Sequence, residues 1–274
     1  MQRIDATGKC RVSVHPSERT FLAVSAVAFA ASTAVTVVRC ASMTALGARP
    51  MSGGGTVSMA WQRMPGQSWF GAAVAFLGMW VVMMTAMMLP SLVPVLRRYR
   101  RAIDAKGARR LGWFTIVVGA GYFAVWAAFG MAAFQLGVGL TTLATRLPAV
   151  ARAVPVAAGA VVLLGGAVQF SAWKTRRLAC WRASPAHDRT QPASTRSAWR
   201  LGLGLGLHCS ASSASLTVIL CVIGVMDLRA MAAVTTAITL ERLAPRGDRV
   251  AAVVGAIVMV VGLILMSRAL SIGA

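Results

Sequence analysis

The chain alternates long apolar runs with short, arginine-rich connectors, and this alternation restricts its fold more than any single motif. Apolar runs cover about 21–42, 69–96, 111–136, 153–173, 201–225 and 250–266, with a shorter one at 230–243. A helix needs ~20 apolar residues to cross a ~30 Å hydrocarbon core. Six runs meet that length. The seventh, of about fourteen residues rising ~21 Å, is either a short span helped by its ends or a half-helix. In lipid every backbone N–H and C=O must find a partner within the protein, which leaves helices or closed barrels. The expected fold is therefore all-α, a polytopic transmembrane helical bundle of six to seven spans. It forms a single integral membrane domain over 20–274 that follows a basic tail at 1–19.

Charge placement orients the bundle. Lys plus Arg number four in the tail, two in 43–68, seven in 97–110, two in 137–152, seven in 174–200, one at Arg229 and three in 242–249. High and low counts alternate, so the positive-inside rule puts the N-terminus in the cytoplasm and the loop 43–68 outside. Seven spans leave the C-terminus outside; a re-entrant 230–243 returns it inside. Net charge is +21, but the basic residues lie between apolar runs and not along an amphipathic face, which argues for a bilayer and against nucleic acid as partner. Ala28-Phe29-Ala30 resembles a cleavage site, yet apolar character continues through Val38, and the first run reads as a retained span. The stretch 174–200, rich in Arg, Ser and Pro, reads as a polar connector, poorly ordered in places.

Chemistry concentrates at few positions. Five of the fifteen methionines fall within Met79–Met88. At about 100° per residue, with Met79 as zero, Met83 lies near 40°, Met87 near 80°, Met84 near 140° and Met88 near 180°. Half the helix is thioether, around Trp80. Thioethers favour Cu(I) over hard cations; methionine also fills irregular gaps between packed helices, and both readings stand. In the run 201–225, His208 and Cys209 are adjacent, and Cys209, Ser212 and Ser213 share a face. This is either a metal site or a set of small polar groups bonded back to the helix. Cys40 and Met43 lie one turn apart, and Cys221 sits at comparable depth, so the three meet if the first and fifth spans are neighbours. Glu241 is expected to pair with Arg242 or a connector arginine, and Asp227 to serve a turn. Gly202, Gly204 and Gly206, at alternate positions, read as general packing freedom, not as a GxxxG seam. Five dispersed cysteines write neither a disulfide framework nor a zinc site. With no Ser/His/Asp set, P-loop, HExxH or paired carboxylates, the chain reads as non-enzymatic.

Four segments carry a resemblance. Met79-Trp80-Val81-Val82-Met83-Met84-Thr85-Ala86-Met87-Met88-Leu89-Pro90, Gln169-Phe170-Ser171-Ala172-Trp173-Lys174, Gly206-Leu207-His208-Cys209, and Gly224-Val225-Met226-Asp227-Leu228 with Leu240-Glu241-Arg242-Leu243-Ala244-Pro245 resemble a bacterial family of predicted metal-binding integral membrane proteins, related to a membrane copper chaperone for a polyphenol oxidase. The resemblance implies an inner-membrane protein that binds Cu(I) and delivers it to a copper-accepting protein. Implied metal ligands are Met79, Met83, Met84, Met87, Met88, His208, Cys209, Cys40 and Met43, with Met51, Met59 and Met64 collecting the ion outside. The sequence departs from the family's Cys-x-x-Cys-Cys run: Cys209 matches its first position, but Ser212 and Ser213 replace the paired cysteines. A second family pair appears as Cys180-Trp181. Loss of those soft ligands weakens the implied site. A small-molecule permease using 230–243 as a broken helix, or a structural subunit whose methionines only pack, are the alternatives.

Overall fold

The computed structural model describes residues 3–4, 10–11, 16–45, 66–104, 110–183, 194–224 and 227–273. Apart from a two-residue antiparallel pairing of Arg3–Ile4 with Cys10–Arg11, its regular structure is helical: α1 Pro16–Ala45, α2 Trp69–Asp104, α3 Leu111–Arg146, α4 Pro148–Val168, α5 Ala172–Ala183, α6 Thr195–Ile223, α7 Leu228–Leu243 and α8 Gly247–Gly273. Six of these, α1, α2, α3, α4, α6 and α8, are long and apolar enough to cross a membrane. The fold is the expected all-α bundle.

Its packing is uneven. α1 docks on α2 and exposes most of its surface, whereas α6 touches α3, α4, α5 and α7. The α3–α6 seam is built from glycines. A Cβ at Gly202 would collide with the Val118 carbonyl, one at Gly206 would come within 2.9 Å of the Tyr122 carbonyl, and one at Gly121 within 2.8 Å of that of Trp199. Gly204 faces open space. Gly202 and Gly206 therefore form a GxxxG pair after all. The alternate spacing hides it, because only positions four apart share a helix face.

α8 runs antiparallel to α4. A Cβ on Gly255 would meet Gln169 at the end of α4, and one on Gly159, early in α4, would meet Met266 late in α8. α7 occupies the gap between the far end of α6 and the start of α8. Gly224, at φ 141° in a conformation glycine tolerates, closes α6. The Asp227 carboxylate then caps α7 by accepting from the amides of Arg229 and Ala230 at 2.8 and 3.0 Å. α7 has 16 residues, ~24 Å at 1.5 Å each. It is one continuous helix whose last turn carries Glu241 and Arg242 into the core.

The interruption falls elsewhere. Gln169, Phe170 and Ser171 donate to carbonyls three residues back, a tight turn that ends α4 before α5 begins. α5 lies in the stretch expected to be a polar connector. Its average polarity conceals a stripe of Lys174, Leu178 and Trp181, spaced four and three apart and buried together.

Candidate metal centre

α2 brings its methionines inward. Met83, Met84, Met87 and Met88 are all buried, as is Trp80, while Met79 is partly exposed. The Trp80 indole N–H donates to the Trp126 carbonyl of α3 at 2.9 Å. Its ring fills the hollow at Gly130, where a Cβ would strike it. Phe76 and Phe129 both stack on that ring, at 5.7 and 6.1 Å. These contacts fix the rotation of α2 about its axis and so decide where each sulfur points.

Met88 points at α6. The Cys209 thiol, fully buried, lies 3.8 Å from the Met88 thioether sulfur. On its other side the Tyr122 hydroxyl of α3 is 2.7 Å away. One thiol, one thioether and one phenol from three helices thus meet in the core. Beneath them, the Ser212 and Ser213 hydroxyls donate to the Cys209 carbonyl at 2.9 and 2.8 Å. The serines standing where the family pattern has cysteines are spent on the helix backbone.

A second polar layer adjoins the first. The Lys174 ammonium, with no exposed surface, is 2.8 Å from the Glu241 carboxylate and donates to the Ser212 carbonyl at 2.6 Å. Gln169 donates its amide N–H to the other Glu241 oxygen at 3.0 Å. Arg242 turns the opposite way. Its guanidinium donates to the Ser91 hydroxyl at 3.0 Å, the Cys209 carbonyl at 3.2 Å and the Ser212 hydroxyl at 3.0 Å, with its face 4.5 Å from the Trp181 ring centroid. Ser91 in turn donates to the Met88 carbonyl at 3.0 Å. The methionine helix, Gln169 with Lys174, Cys209 and the Glu241-Arg242 pair, drawn from the segments singled out in the sequence, converge here.

A match to the copper-chaperone family PpoB2 extends over residues 77–265, from α2 into α8. The chain belongs to this family of copper chaperones. No curated protein and no solved structure matches it.

Seen as a member of the copper-chaperone family, the chain distributes its candidate ligands unevenly. Cys209 and Met88 are brought together. His208 is not with them: one residue along a helix is a turn of about 100°, and its Nδ1 lies 3.4 Å from Arg177 Nη1 of α5 instead. Cys40 is buried in the core at the end of α1, but among the described residues α1 has its substantial interface with α2 and not with α6. The Met43 side chain and residues Met51, Met59 and Met64 lie outside the described residues. Cys180 is exposed on α5 and unbridged. Among the described residues no three His, Cys, Asp or Glu side chains converge; beside Cys209 the nearest soft donor is the Met88 thioether.

Three participants were not legible as site residues. Tyr122 sits in an ordinary apolar run, Ser91 follows a proline, and Lys174 opens a polar stretch. Glu241 pairs with Lys174, which was not among the partners expected for it. Neighbours on a helix face different partners, and their opposite charges in sequence mislead.

Proposed function

We propose that this copper-chaperone family member binds Cu(I) within the membrane at the Cys209–Met88 sulfur pair and delivers it to a copper-accepting protein. The observation that carries the reading is the 3.8 Å approach of a buried thiol to a buried thioether, beside further buried methionines on the same helix. Soft sulfur donors suit Cu(I). A carrier also needs ligands that release their cargo, and one thiol with thioethers holds the ion less firmly than paired thiolates. Met84, Met83 and Met87 extend the sulfur surface along α2, with Met79 at its less buried end. Cys40, Met43 and His208 serve entry or exit. In this proposal the protein lies in the bacterial inner membrane as a single multi-pass domain with a non-catalytic role. Its N-terminus and arginine-rich connectors face the cytoplasm.

The test is the copper content of detergent-purified protein after anaerobic Cu(I) loading. Near-stoichiometric copper in the native chain, falling at least tenfold in Cys209→Ser and in Met88→Leu, supports the site. Native protein with copper at background rejects it. The result would then favour an assembly subunit whose methionines pack, a reading supported by the internal hydrogen bonds of Ser212 and Ser213.

A further inference from the structure

Arg242 is 4% exposed. Its partners are two hydroxyls, a carbonyl and an indole face, and among the described residues it forms no ion pair with a carboxylate. Its neighbours Lys174 and Glu241 neutralise each other. Among the described residues the buried cluster therefore keeps one positive charge with no carboxylate of its own. Such a charge is costly in a membrane interior and is informative for that reason. It also sits at a telling place. The guanidinium bonds the backbone carbonyl of Cys209 directly and that of Met88 through Ser91, so it grips both residues that bear the paired sulfurs.

We infer that Arg242 sets the charge selectivity of the sulfur pair, admitting soft monovalent cations and excluding soft divalent ones. The inference rests on the proposed sulfur site. Softness alone does not make this choice, because thiolate and thioether donors also accept soft divalent ions. A fixed cation in a low-dielectric core does, since it offsets the negative charge of the Cys209 thiolate and leaves the steeper desolvation cost of a divalent ion unrepaid. The guanidinium stays charged at any accessible pH, so the filter does not switch off.

The experiment loads the full-length purified protein anaerobically with competing isoelectronic ions, Cu(I) against Zn(II) and Ag(I) against Cd(II), and measures bound metal by mass spectrometry. Native protein is expected to retain the monovalent ion of each pair. Arg242→Gln, which keeps an amide donor but removes the charge, lowers the Ag(I):Cd(II) ratio at least tenfold. Arg242→Lys, which keeps the charge but loses the planar fork, leaves the ratio within threefold of native. Lys174→Gln with Glu241→Gln removes a neutral pair and also leaves it within threefold. If Arg242→Gln does not fold, Lys174→Gln alone removes one positive charge from the same cluster and is expected to relax the ratio likewise. An Ag(I):Cd(II) ratio that stays native in the charge-removing variant overturns the filter while leaving the sulfur site intact. Native protein that retains neither Cu(I) nor Ag(I) overturns both.

Discussion

α6 is joined to its neighbours in two different ways. Against α3 it presents Gly202 and Gly206, so that one backbone lies on the other. Toward α2 there is no comparable backbone approach, and the gap is bridged by side chains: Cys209 to Met88, and Ser212 to Ser91 by way of Arg242. The first seam has almost no freedom. The second holds groups whose positions depend on rotamers and hydrogen bonds, where an ion can be accommodated by small movements. Rigidity on one face lets the other face carry chemistry.

That contrast can be broken from either side. The largest effect is expected at Gly202→Leu, which drives a side chain into the Val118 carbonyl and should abolish the monodisperse folded protein on size-exclusion chromatography. Next is Glu241→Gln, which leaves Lys174 charged and unpaired in the core. Breaking a buried pair costs about 3–5 kcal/mol, read as a lower thermal midpoint in detergent, and adding Lys174→Gln should recover much of it. Cys209→Ser should change stability by about 1 kcal/mol or less, the scale of one neutral hydrogen bond, while removing bound copper. Smallest is Gly204→Ala. Its Cβ meets nothing, so the midpoint should hold or rise slightly, by up to about 1 kcal/mol from helix propensity. A loss of stability at Gly204→Ala equal to that at Gly202→Ala would contradict the seam.

The bundle itself was legible because the bilayer demands long apolar runs, and the methionine helix because its composition is extreme. The pairing of Cys209 with Met88 was not, since each helix offers several faces and only the packing of Trp80 against Gly130 chooses among them. α5 was missed for a different reason: averaging over 174–200 dilutes a three-residue stripe, and its first member is a lysine that reads as solvent-facing until Glu241 is seen opposite it. Asp227, by contrast, needs no tertiary information. Its role as the cap of α7 follows from local chain geometry, and the turn expected there is present.

The aromatic packing around the centre has an optical consequence. Trp80, Trp126 and Trp181 are buried, whereas Trp69, Trp113, Trp173 and Trp199 lie at the protein surface. Trp126 stands one helical turn from Tyr122, whose hydroxyl touches the candidate thiol. The three buried rings should emit at shorter wavelength than the surface tryptophans, and a heavy ion settling beside Cys209 should quench that blue component first. The protein thus carries its own reporter, and filling of the centre can be followed by light without any label.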